Sequence, residues 1–186
     1  MHKDEPELHL MMGPLNKMFN EMEKVWPESE RWLDSCSVKK EEYHGGTFAG
    51  NESRKLLKNV DRLEALEPPT QCRKIICALK SFNEVVASCF GRELKPNYLE
   101  KISDFKHHYM KIGISVTPKV HAVFYHVAEF CALKGMGLGP WSEQTGESVH
   151  HDFKETWKNF KVNDLEKDIY GEQLLKAVCK YNSQHI

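Results

Sequence analysis

The stretch P-P-T-Q-C-R-K-I-I-C-A-L-K-S-F-N-E-V-V-A-S-C-F-G, from Pro68 to Gly91, decides the fold class. Its apolar residues fall at Ile75/Ile76, Leu79, Phe82, Val85/Val86 and Cys89/Phe90, steps of three and four that gather them on one helical face. The proline pair suits a helix start, where the first N–H groups have no intrahelical partner, and Gly91 suits the stop. The spacing predicts a helix opened by Pro68-Pro69, with those apolar residues turned inward.

The neighbours on both sides read the same way. Pro96 opens a helix with Tyr98/Leu99, Ile102, Phe105, Tyr109 and Ile112 on its stripe and Gly113 after it. Thr117 and Pro118 supply an N-cap and an N1 proline for another, running to Lys134 and closed by Gly135. Asp164 caps a last helix over 165–181, with Ile169, Leu174/Leu175 and Val178 expected inward. Toward the N-terminus, residues 5–26 keep a helical period that Gly13-Pro14 interrupts, which predicts a kink or two helices joined there. Pro27 ends that segment, and a short helix over 28–35 places Trp32 and Leu33 inward. In Y-H-G-G-T-F-A-G-N-E-S-R-K-L-L (Tyr43 to Leu57) the glycines mark a loop, with Asn51 as N-cap for a helix from Glu52. Such a loop either lets the chain pack closely around Phe48 or brings backbone amides to a phosphate. Ile112 to Val116 is the best short strand candidate in a chain that otherwise lacks alternation. The expectation is all-α: an irregular multi-helix bundle, with a helical region over 1–134 and a C-terminal helical segment over 135–186.

Composition narrows the function classes. A length of 186 residues, 40% hydrophobic and 28% charged, fits an ordinary globular chain with one large domain or a core and appendage. The longest apolar run is far short of the roughly 18–20 residues a membrane span needs, and Met1 to Pro6 is not the start of a signal peptide. An intracellular, membrane-free setting is expected. The six cysteines contain no CxxC and read as small buried hydrophobes in a reducing compartment. A net charge of −1 without a basic block argues against strong independent DNA binding through phosphates.

Two groups of residues carry candidate chemistry. In G-M-G-L-G-P-W-S-E-Q-T-G-E-S-V-H-H-D-F-K-E-T-W-K-N-F (Gly135 to Phe160), Ser142 can cap a helix bearing Glu143, Glu147, His150 and His151. Spacings of i, i+4 and i+7/i+8 put these on one face, suited to a divalent metal or to acid–base chemistry, although spacing alone favours a solvated face with i,i+4 contacts. The second group is His121 and His126, five residues apart in the helix running to Lys134. Five steps are about 500° of rotation, so the imidazoles diverge by roughly 140° on an ideal helix. The pair alone reads as one exposed histidine and one packed in the core, unless residues elsewhere complete a site.

Four stretches, in order, resemble DDE transposases related to Transib elements and to the catalytic subunit of the V(D)J recombinase. They are E-L-H-L-M-M-G-P-L-N-K-M-F, F-A-G-N-E-S-R-K-L-L, H-A-V-F-Y-H-V-A-E-F and G-P-W-S-E-Q-T-G-E-S. The most specific part is the histidine pair, followed some twenty residues later by W-S-E-x-x-x-E. The resemblance implies a helical insertion followed by the last catalytic helix of an RNase H-like nuclease. In such enzymes two aspartates and a glutamate hold two Mg²⁺ (or Mn²⁺) ions for DNA nicking and strand transfer. It maps the glutamate to Glu147, with Glu143, His150 and His151 in supporting positions. It maps His121 and His126 to a structural Zn²⁺ shared with a cysteine pair from earlier in the chain.

The departures matter as much. No CxxC is present, and Asp4, Asp34 and Asp61 are not preceded by strand-like apolar runs. One glutamate cannot hold two metal ions against water. The chain is therefore expected to be a fragment of a nuclear transposon-derived protein, inactive alone, with the magnesium site incomplete and the zinc site half-made unless a cysteine such as Cys131 moves in. Its expected partners are an upstream transposase portion or a second copy, and DNA weakly. Two alternatives stand beside this one. The first is a co-opted helical interaction module without catalysis, and the second is a small metal-dependent hydrolase using Glu143, Glu147, His150 and His151.

Overall fold

The computed structural model describes residues 7–40, 48–141, 172–173, 175–177 and 179–180. The chain separates into two units, Met1–Ser142 and Glu143–Ile186. Among the described residues the first unit holds α1 (Glu7–Val25), α2 (Glu30–Ser35), α3 (Gly50–Lys58), α4 (Arg73–Cys89), α5 (Tyr98–Ile112) and α6 (Pro118–Lys134). Short 3₁₀ turns lie at Pro27–Ser29, Val60–Leu66, Thr70–Cys72 and Gly139–Trp141. No strand occurs among the described residues, so the class is all-α. Residues 112–116 do not form one: Ile112 ends α5, Gly113 turns the chain at φ 82°, and Thr117 already caps α6.

The segment around Pro68 folds close to its spacing. The prolines lead into the 3₁₀ turn, α4 follows, and Ile75, Ile76, Leu79, Phe82, Val85, Cys89 and Phe90 are buried. Packing of α4 along α5 is the main contact of the fold, and α1 lies against α3, α4 and α6. An aromatic chain ties three helices together: Phe82 to Phe105 at 4.7 Å between ring centres, Phe105 to Phe124 at 5.4 Å, and Phe124 to Tyr109 at 5.6 Å. Burying each such ring contributes about 1.5–3 kcal/mol. Leu99, assigned to the stripe beside Tyr98, is instead exposed, because the core takes Tyr98, Ile102, Phe105 and Tyr109 and that arc excludes it.

Around α1 the structure departs from expectation in an informative way. The chain stays helical through Pro14, although an interior proline removes a hydrogen bond and costs about 3 kcal/mol. Tertiary contacts offset this. Leu10, Met11, Leu15, Met18, Phe19 and Met22 are all buried on either side of the proline. The Asn16 amide donates to the Met12 carbonyl at 2.9 Å, while its oxygen accepts from the Phe48 N–H at 3.0 Å. Phe48 is thereby fixed against Phe19, 5.1 Å away edge to face. That anchor sets where α3 begins: Ala49 is its N-cap and Gly50 its first residue, and Asn51 lies exposed inside the helix instead of capping it. Trp32 and Leu33 are buried as expected, with the indole donating to the Asn59 carbonyl at 3.0 Å.

Four cysteines are buried, but Cys77 and Cys179 are exposed, each off the apolar arc of its helix. In the second unit, 172–173, 175–177 and 179–180 are helical. Leu175, expected inward, is exposed, while Ala177 is buried. Two residues along a helix differ by about 200°, so a buried face through Ala177 excludes Leu175. Among the described residues no helix is long and apolar enough to cross a membrane.

Candidate functional site

The α6 helix positions the histidine pair. Its start is fixed by the Thr117 hydroxyl, which accepts from the Val120 N–H at 3.3 Å, and by Pro118 at N1. Its end is fixed by Gly135 in the left-handed conformation, φ 64°, whose N–H donates to the Cys131 carbonyl at 2.9 Å. Val120, Val123, Phe124, Val127 and Cys131 are buried, so the opposite side must face water.

His121, Tyr125, His126 and Glu129 occupy that opposite side, and both histidines are exposed. Neither is packed in the core, because the core arc falls on other positions. Nor do the rings diverge. Their centres lie 5.3 Å apart, with His121 also 4.7 Å from the Tyr125 ring. Two free torsions in each exposed side chain overcome the Cβ divergence. His126 Nδ1 lies 3.4 Å from Glu129 Oε2, a long contact between exposed groups. Lys106 from α5 covers Tyr125, with its ammonium 4.3 Å from the ring centre and donating to the hydroxyl at 2.9 Å.

Cys131 does not complete this pair. It is buried on the other side of α6. Among the described residues no three His, Cys, Asp or Glu side chains converge as a metal site. Glu143, Glu147, His150 and His151 lie outside the described residues, as does the 41–47 part of the earlier glycine loop.

The approach to the carboxylate stretch is described as far as Trp141. Gly137, Leu138 and Gly139 donate their N–H groups to the carbonyls of Arg92 (3.1 Å), Cys89 (2.8 Å) and Gly91 (3.0 Å). A Cβ on Gly137 would collide with the Gly91 carbonyl oxygen, and one on Gly139 would sit 2.8 Å from the Gly91 carbonyl carbon. Backbone must approach backbone here, and glycine allows it. This clasp bonds 135–139 to the helical body, although the sequence groups them with the C-terminal segment.

Sequence reasoning missed one further feature, an open cavity of about 330 Å³ between the Val60–Leu66 turn, α4 and α5. Asp61, Cys77, Lys80, Ser81 and His108 are on its wall. Lys80 bonds Glu64 at 2.9 Å and Asp61 at 3.0 Å, and those hydrogen bonds hold its ammonium above its ordinary pKa. Its only signal in the sequence is three charged residues far apart, with no motif. No family model, curated protein or solved structure matches the chain.

Proposed function

We propose that this chain is a helical module of DDE-transposase descent, the counterpart of the insertion and last catalytic segment, which does not cut DNA alone. It would contribute Glu147 and a two-histidine half-site to a nuclear assembly whose remaining groups come from an upstream transposase portion or a second copy. One observation carries the reading: His121 and His126 are exposed and 5.3 Å apart, centre to centre. Two imidazoles on one tetrahedral zinc, with Zn–N of about 2.0–2.1 Å, place their ring centres about 5 Å apart. The pair therefore fits half of a zinc site that a cysteine pair from a partner could close. Zinc there would be structural, cross-linking α6 to whatever supplies the thiolates. Magnesium, when bound, would support phosphoryl chemistry, with Glu147 as one of its ligands.

The test is calorimetric. Zn²⁺ should bind the chain weakly, and a peptide containing Cys-x-x-Cys should tighten that binding at least about tenfold, since thiolates complete the tetrahedron. His121→Ala with His126→Ala should abolish the gain. Supercoiled plasmid with Mg²⁺ or Mn²⁺ should stay uncut. Zinc binding indifferent to the double variant, or nicking by the chain alone, would overturn the reading.

A second reading, a co-opted interaction module without catalysis, is favoured by exposed Leu133 (80%) and Met136 (39%) at the end of α6. Partner capture lost in Leu133→Ser but retained in the histidine double variant would select it.

A further inference from the structure

His121 and His126 offer a metal two imidazoles, and structural zinc takes four ligands. Their ring centres are 5.3 Å apart on the exposed side of α6. Among the described residues no three His, Cys, Asp or Glu side chains are placed to hold a metal, so α6 supplies half a tetrahedron. Glu129 Oε2 lies 3.4 Å from His126 Nδ1. A proton on Nδ1 turned toward that carboxylate leaves the Nε2 lone pair for the metal, and the carboxylate offsets part of the ion's charge.

The same face of α6 carries an apolar group beside the pair. Leu133 follows His126 by seven residues, which is about two turns and 10 Å along one line of the helix. It is 80% exposed. Tyr125, 45% exposed, lies against His121 with the ring centres 4.7 Å apart. Two histidines, a tyrosine and a leucine thus share one solvent-facing arc, opposite Val120, Val123, Phe124, Val127 and Cys131 in the core.

Building on the half-site reading of the histidine pair, we propose that its partner is a second copy of this chain. One zinc ion lies on a twofold axis between two α6 helices and takes His121 and His126 from each. A twofold contact presents the same patch from both sides, so two half-sites of two imidazoles fill one tetrahedron without a cysteine from elsewhere. Leu133 of each copy lies about two turns from the metal and is covered by the opposing face. The contact forms only with zinc, because the exposed apolar area on α6 is small without the metal–nitrogen bonds.

The experiment uses the full chain and zinc chloride. Zinc should double the mass measured by light scattering, at one zinc for two chains, and EDTA should restore the single chain. Cobalt(II) in place of zinc should give the visible absorption of a tetrahedral site, with no near-ultraviolet band from a thiolate ligand. His121→Ala with His126→Ala should abolish the doubling. Leu133→Ser keeps every ligand and should raise the zinc concentration for half-dimerisation at least about threefold. A single chain holding one zinc through both histidines would overturn the second copy as partner while leaving the half-site standing. Zinc binding that ignores the double variant would overturn both. A dimer that forms without zinc, shows thiolate absorption or is unmoved by Leu133→Ser would also overturn the proposal.

Discussion

Helices α4 and α6 are each 17 residues long and both bury one face in the same core, yet their outer faces differ. Outside its stripe, α4 carries Arg73, Lys74, Lys80 and Glu84, the solvated side an amphipathic helix needs. On α6 the outer face carries His121, Tyr125, His126 and Leu133, all exposed, while Ala122, Ala128 and Phe130 pack half-buried against the core. The fold accounts for almost every residue of α4. It leaves on α6 two imidazoles and an exposed leucine that the core does not use, on the side that the proposed function draws on.

The comparison breaks most visibly in the core of α4. Phe82→Ala should cost about 3–5 kcal/mol in denaturant unfolding, since its ring lies 4.7 Å from Phe105 and 6.3 Å from Phe90. A loss under about 1 kcal/mol would mean α4 is no more committed to the core than α6's outer face. Next comes the clasp, where the two helices' C-terminal ends are joined. Gly137→Ala should cost about 2–3 kcal/mol, because the Cβ meets the Gly91 carbonyl and the bonds to Arg92, Cys89 and Gly91 are disturbed. The cap that starts α6 is smaller: Thr117→Ala should lose about 1 kcal/mol, read from the same unfolding curves.

Smaller still is a pH effect on α1, the helix lying against both. Hydrogen bonds from Lys17 and Lys24 hold the Glu21 carboxyl below its ordinary 4.5. Its folded pKa is depressed, so its contribution is full above about pH 4.5 and is lost as pH falls through the lower folded value. The pairs lie near the surface, so Glu21→Gln should remove only about 0.3–0.5 kcal/mol at pH 7 and progressively less as the pH falls below about 4.5. Last, His121→Ala with His126→Ala should leave stability within about 0.5 kcal/mol while removing zinc binding. A large destabilisation would place the pair with the fold and remove the contrast with α4.

What the sequence made legible follows from the range of each interaction. The α4 stripe, the Thr117 and Pro118 start, Gly113 and Gly135 as stops, and the inward Trp32 and Leu33 depend on neighbours within about one turn. Local chemistry decides them. The uninterrupted passage through Pro14 rests on Asn16 reaching Phe48, 32 residues away, so the local rule loses to a distant contact. The early start of α3 has the same origin. The histidine spacing predicted divergence because it counts Cβ directions only, whereas the rings meet through side-chain torsions around Tyr125. The clasp left no mark in the sequence, because main-chain bonding between 89–92 and 137–139 has no periodic trace.

That clasp also has a consequence for how the chain can vary. Every donor and acceptor in it belongs to the main chain, so what positions 137 and 139 must keep is emptiness. In a saturation library, Met136, exposed just before them, should accept most residues. Positions 137 and 139 should accept almost none.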